Sequence, residues 1–510
     1  MARRLSAIVV GAGVGGLAAA ARLAHAGFDV QVLEQTAEPG GRCGQLQAGG
    51  YTFDLGPTIL LMPEVVERTF GDLGVPMASY LRLHRCDPND TLRFRDGASL
   101  TFTSDLARMK DEVERLEPGS FPRFLRFLAL GQLQYRTSLD RFAGRDLDHL
   151  GQFLTPASLA ALVRVRGHRR LYSVVSDLFH DERLRAALTF QTMYLGLSPY
   201  ESPAVYGLLP YSELGVGIWF PEGGLHALPR ALERLALETG ARLAYRTRVT
   251  RIDLEGNRAT GVTLEDGTHL PADLVLCNAD LPWAYRNLVD PSVTRLRRAD
   301  RLRYTSSGYL LYLGLDRRVP ELGHHTVFFG SDYRGSFEDI FRRFRVPADP
   351  SFYVAVASRT DPSLAPPGRD GLYVLVPVPR QHPSLDWTTE GPRVRAQVFR
   401  RLREEGLDVE RHIVVERRFT PDDWASRFSL EHGSAFGLGH QLFQVGPFRP
   451  PNQDPTVRNL FFVGASTRPG TGLPMVMLSA ELVVERMRRE ALALGATLAP
   501  RAALGQEVPA

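Results

Sequence analysis

The chain has 510 residues, a formal net charge of +4, and 23% charged against 44% hydrophobic residues. A chain this long exceeds what one hydrophobic core holds and predicts roughly two or three domains. Its composition is that of a globular protein and excludes fibrous, disulfide-stapled and extensively disordered classes. The small net charge excludes a nucleic-acid binder. Lysine occurs once, at Lys110, so nearly all the positive charge is arginine.

Cys43, Cys86 and Cys277 are widely spaced and form no CxxC pair. That spacing points to a reducing compartment, read as cytoplasmic, and to no metal site. His324 and His325 are adjacent, and neighbours on a strand point to opposite faces, so they make a poor metal pair. Arg3 and Arg4 before an apolar run imitate a secretory leader. The run is broken by Gly11, Gly13, Gly15 and Gly16, however, and reads as strand, turn and helix. No uninterrupted apolar stretch of about eighteen residues exists, so no membrane-spanning helix is predicted.

In chain order, a strand at 7–10, a glycine turn, a helix at 14–26 and a strand at 29–33 form one βαβ unit. Residues 81–212 read as helical stretches rich in Arg, Leu and Phe. A helix at 223–240 carries Leu225, Leu228, Leu232 and Leu235, and a meander of strands at 242–245, 249–254 and 259–264 follows. Further strands are predicted at 308–313, 326–329, 352–357 and 372–378, then a polar helix at 393–405. A buried strand at 460–463, a second Gly/Pro turn and a helix to about 494 close the chain, and the tail from 495 is expected to be disordered. The α/β signals at start, middle and end predict two interleaved domains.

Gly11, Gly13 and Gly16 form a GxGxxG turn, with Gly15 inside it. The first glycine permits the turn, the second lets backbone approach a diphosphate, and the third lets helix and strand pack closely. The diphosphate then meets the helix N-terminus. Glu34, at the end of the second strand, is placed to accept hydrogen bonds from a ribose diol. Gly40-Gly41-Arg42 follows, with a backbone able to approach a cofactor and a guanidinium able to neutralise phosphate. Gly56-Pro57-Thr58 makes another turn. Near the C-terminus, Gly464-Ala465 and Gly472-Leu473-Pro474-Met475 lead a buried strand into a helix whose N-terminus favours charge on a reduced flavin ring.

These motifs, with Gly223-Gly224 and Val249, resemble the flavin-containing amine-oxidase and carotenoid-desaturase superfamily, and within it the bacterial carotenoid desaturases of the phytoene-desaturase family. The resemblance runs through 51–58 (YTFDLGPT), 215–224 (GVGIWFPEGG), 372–380 (LYVLVPVPR), 433–436 (GSAF) and 462–474 (FVGASTRPGTGLP), nearly the whole chain. It implies an α/β fold: a discontinuous Rossmann-like FAD-binding domain (1–80, 215–295, 425–494) interleaved with an α+β substrate domain (296–424) that carries a helical, membrane-facing insertion (81–214). It also implies FAD on the motif residues, with Val249 beside the adenosine. The substrate would be an acyclic carotenoid, losing hydride to the flavin and a proton from the neighbouring carbon. Quinone or oxygen would reoxidise the flavin.

Many superfamily members carry an acid where this chain has Ala465, and the carotenoid branch resembles this chain in lacking it. Lys110 lies far from every motif, where an amine oxidase would use a lysine at the flavin. Within the branch the overall resemblance favours a 1-hydroxycarotenoid 3,4-desaturase, with lycopene-forming phytoene desaturase as the alternative. A flavin-free escort of prenylated partners is the alternative of another class. Apolar residues flanked by arginine at 121–135 and 159–171 fit an amphipathic core helix and a membrane-interface helix equally, and the carotenoid substrate that the resemblance implies favours peripheral attachment to the inner face of the membrane. No general base is assigned: Glu213, Asp422 and His226 read as surface or capping residues.

Overall fold

The computed structural model describes residues 4–145, 150–153, 155–290, 292, 302–493, 495–496 and 498. The tail expected to be disordered lies almost wholly outside them.

Two large sheets carry the fold. The first is parallel, with strand order Leu460–Phe462, Leu274–Cys277, Ser6–Val10, Asp29–Leu33, Arg242–Ala244. Helices Val14–His25, Ala227–Glu238 and Leu473–Ala493 cover one face and share one apolar cluster with it. A three-stranded meander packs on the other face. Leu225, Leu228, Leu232 and Leu235 are all buried, as their spacing predicts.

The second sheet has seven strands, ordered Ile413–Phe419, Ser307–Leu315, Gly371–Val378, Phe352–Ala355, His325–Phe328, Asp90–Arg93, Ser99–Phe102. All nine residues of Ser307–Leu315 are buried, because the sheet is covered on both faces. One cover is the helix Trp387–Glu404; the other combines the hairpin of Gln45–Ala48 and Tyr51–Asp54 with helices from 106–214.

Four sequence expectations are corrected. Residues 81–105 are not helical: Leu83–Cys86, Asp90–Arg93 and Ser99–Phe102 are strands, two of them the edge of the large sheet. Residues 242–245 do not open the meander. Arg242–Ala244 pairs in parallel with Asp29–Leu33, and His269–Pro271 is the meander's third strand. The strand Leu274–Cys277, central to the first sheet, was not anticipated, since a four-residue apolar run is ambiguous in isolation. The polar helix also starts before 393, at Trp387, because Asp386 caps it by accepting from Thr388 N at 2.9 Å.

Asn459 ties the first sheet to the meander. Its Oδ1 accepts from Ala259 N at 2.7 Å, and its Nδ2 donates to the carbonyls of Ala259 and Asp273, each at 2.7 Å. Asn459→Ala strands these backbone groups where water does not reach, and chemical denaturation is expected to show a loss of about 3 kcal/mol.

Candidate functional site

The carboxyl ends of the parallel strands converge on a cavity of about 410 Å³, the position that open α/β sheets offer a ligand. Gly11 follows the first strand at φ 102°, and its N–H donates to Leu33 O at 2.8 Å. Gly40 N donates to Ala12 O at 2.8 Å and so draws the second glycine turn against the first. Asn278, just past the strand Leu274–Cys277, fills the space between the turns. A Cβ on Gly13 would lie 2.6 Å from Asn278 Oδ1, and one on Gly464 would lie 3.2 Å from its Nδ2. That amide donates to Val463 O at 2.9 Å. A Cβ on Gly16 would lie 2.1 Å from Gly11 O, so this position admits only glycine.

Of the predicted cofactor residues, Gly11, Gly13, Gly15, Glu34, Gly40, Gly41, Arg42, Gly56, Pro57, Thr58, Val249, Gly464, Ala465, Gly472 and Leu473 line this cavity. Gly16, Pro474 and Met475 do not. Gly16 serves close packing. In the final helix the wall is made by Leu473 and Val476, one turn apart, which carries Pro474 and Met475 to other faces. Glu34 is also more committed than its motif suggests: Oε2 accepts from Ala12 N at 2.7 Å, and Oε1 accepts from Thr36 N and Oγ1 at 2.9 and 2.8 Å. It thus props the glycine turn while facing the cavity.

Arg42 donates to Ala435 O at 3.2 Å, and burial lowers its pKa while Asp280 works against that shift. A partly buried cation on the wall matches an anionic ligand. Asp280 was missed by the sequence reading because its strand was missed. It lies on the same wall as Ala465 and accepts from Ser466 Oγ at 2.5 Å. The acidic group absent at 465 is therefore supplied by the neighbouring strand end. Burial raises the Asp280 carboxyl, and Arg42 counters.

Away from the glycine turns the wall becomes apolar: Phe190, Val327, Phe329, Phe337, Ile340, Pro347 and Phe352 contribute. Lys110 is exposed on the helix Leu106–Leu116 and is not part of the wall. Between the two ends sits a polar chain. Thr58 Oγ1 is 3.0 Å from Tyr353 OH, which is 2.6 Å from His325 Nδ1.

Here the reading of the histidines is corrected. His324 precedes the strand His325–Phe328, so strand alternation does not separate the pair, and their rings stack at 4.1 Å. With Cys86 they place metal-capable atoms within 4.8 Å of one another, a grouping that sequence spacing concealed. The Nδ1 of each ring already meets a hydroxyl, Thr360 for His324 and Tyr353 for His325. Burial keeps both imidazoles neutral, lowering His324 to about 3 and His325 well below its ordinary value, and pushes the Cys86 thiol up to about 12.

Glu213 is likewise neither surface nor cap: it is wholly buried. His226 is buried, with Nδ1 2.9 Å from Cys43 O, and Asp422 accepts from Gln381 outside the cavity.

The family model described as flavin containing amine oxidoreductase matches residues 14–488. A zeta-carotene-forming phytoene desaturase of Myxococcus xanthus is 63% identical over 97% of this chain and 96% of its own. A phytoene dehydrogenase of Streptomyces griseus is 38% identical over 98% and 97%, and an all-trans-zeta-carotene desaturase of Myxococcus xanthus is 36% identical over 95% and 93%. Among solved structures, an oxidoreductase from Methanosarcina mazei superposes with a TM-score of 0.62 at 19% identity, covering 94% of this chain and 100% of its own. A putrescine oxidase bound to putrescine does so with 0.61 at 15% identity, covering 97% and 100%. At those identities the structural likeness speaks for the fold alone.

Gly16→Ala forces the turn open at Gly11, and the purified variant is expected to retain roughly a tenth or less of the wild type's FAD, a loss worth about 1.4 kcal/mol or more in affinity, measured by flavin absorbance per chain.

Proposed function

The chain belongs to the flavin containing amine oxidoreductase family, and from that premise we propose that this FAD-dependent carotenoid desaturase acts on phytoene, an acyclic hydrocarbon. The relative at 63% identity, named for forming zeta-carotene from phytoene, carries this choice of substrate. The apolar end of the cavity supports it. None of the three relatives described above bears a 3,4-desaturase name, which ranks the 1-hydroxycarotenoid reaction second.

The residues fit FAD. Gly11, Gly13 and Gly15 offer bare backbone at a helix start, Glu34 would accept from a ribose diol, and Arg42 is a partly buried cation. Thr58, Ala465, Asp280 and Leu473 line the same cavity and would help to hold the flavin. Bound FAD supplies the hydride acceptor. The chain's part is to hold the polyene straight, exclude water and remove a proton.

In cells that accumulate phytoene, the enzyme is expected to shift carotenoid absorption to longer wavelength and yield zeta-carotene by chromatography. Unchanged phytoene, with a new product only from a 1-hydroxycarotenoid, overturns the substrate choice. Protein that takes up no flavin supports the escort reading instead.

Peripheral membrane attachment is supported by exposed apolar side chains, Leu125 among them in the helix at 121–135 and Leu159 and Val163 in the segment at 159–171. Phe124 and Phe127 of the helix Phe121–Thr137 face inward, into the cluster shared with Leu100, Phe102 and Phe179. Phe443 is 76% exposed and its ring meets that of Phe448 at 5.8 Å, and Leu442, Leu159 and Val163 are also exposed. No helix among the described residues is long and apolar enough to cross a membrane. A Phe443→Ser, Phe448→Ser double variant is expected to bind anionic vesicles roughly tenfold more weakly in co-sedimentation, since each ring buries apolar area at the lipid boundary.

A further inference from the structure

Each desaturation releases one proton for every hydride, and on the reading above it does so against an apolar wall. Tyr353 is on that wall, hydrogen-bonded both to Thr58 and to the His325 imidazole. The other tyrosines on the wall touch no base. The Tyr333 hydroxyl meets Thr189, the Tyr373 hydroxyl donates to Gly56 O, and the Tyr194 hydroxyl is unpartnered.

Behind Tyr353, His325 is 1% exposed, with Nε2 unpartnered. It opens a strand that pairs in parallel with Asp90–Arg93, with Thr326 opposite Thr91. One rung back, His325 and Asp90 are neighbours on the same side of the sheet. Asp90 and Glu213 are wholly buried against each other, and the side-chain amide of Gln191 is the other polar group that faces Glu213. Two buried carboxyls without a cation between them hold a proton in common.

We propose that Tyr353, His325 and the Asp90–Glu213 pair form the proton exit of the desaturation. One C–H bond of the substrate breaks with its electron pair leaving as hydride to FAD. The C–H bond on the neighbouring carbon breaks with its pair becoming the new C=C. Its proton passes to Tyr353 Oη as the phenol's own proton moves to His325 Nδ1. The proton on His325 Nε2 then moves to the carboxyl pair, which becomes fully protonated until it exchanges with solvent. The assignment requires the tautomer with Nδ1 as acceptor and rests on the carotenoid reading above. Burial leaves His325 uncharged at rest, hence free to accept, and an allylic cation is acid enough to protonate a weak base.

The test uses FAD-loaded Tyr353→Phe, His325→Asn and Glu213→Gln beside the wild type, first matched for flavin content and thermal midpoint. Steady-state turnover of phytoene is expected to fall roughly a hundredfold in Tyr353→Phe, with KM within about twofold. Substrate deuterated at the proton-losing carbon should give a larger isotope effect in that variant than in the wild type. Infrared spectra of the oxidised proteins without substrate should show a protonated-carboxyl band that Glu213→Gln removes. Tyr353→Phe and His325→Asn keeping more than half of the wild-type kcat, or a wild type without that band, overturn the exit. A wild type that converts no carotenoid overturns the activity on which the exit rests, while the infrared band still reports whether the pair holds its proton.

Discussion

Everything about the cofactor end of this fold depends on one crowded junction, where the Asn278 side chain lies between two glycine turns. Side-chain atoms on Gly13, Gly15, Gly16 or Gly464 would collide with that amide or with the backbone beside it. The amide meanwhile donates to Val463 O and locks adjacent strand ends together. The glycines permit more than a tight turn. They let three strands and two helix starts approach closely enough to share one cavity wall, and they leave backbone rather than side chain facing the ligand.

From that junction the cavity changes character along its wall. Near the parallel sheet it offers backbone, a carboxylate already engaged as a prop, and a partly buried guanidinium. Toward the seven-stranded sheet it offers phenylalanine, valine and proline. A ligand with a charged end and a flat ring matches the first part, and a hydrocarbon matches the second. The fold brings them together because the two sheets contribute to one wall. The acid at Asp280 illustrates how the site tolerates exchange between strands: Ala465 frees the position after one strand, and the neighbouring strand end supplies the carboxyl.

The polar groups behind Tyr353 are held neutral by burial. His324 and His325 carry no charge, the Cys86 thiol stays protonated, and hydroxyls of Thr360 and Tyr353 occupy the ring nitrogens. Such an arrangement suits a site that forms a cation on its substrate, since a resident positive charge there would oppose the chemistry.

Much of the first sheet was legible in the sequence, because its strands and helices are local. Asp29–Leu33 was read at its full extent, and the leucines of Ala227–Glu238 point where their spacing requires. The glycine motifs were legible for the same reason, since each is a short stretch whose backbone demands glycine. Hidden from the sequence were features made by distant segments meeting. Arg242–Ala244 joined the parallel sheet because Asp29–Leu33 left an edge for it. Glu213, which reads as a surface residue, is buried against Asp90 by pairing 124 residues away through Asn89, whose Nδ2 donates to Glu213 O. Local patterning thus determined the cofactor turn and the helix faces, and the family resemblance of its motifs the class of chemistry. Tertiary structure alone decided which buried titratable groups face one another, because side-chain periodicity specifies a face and never the partner packed against it.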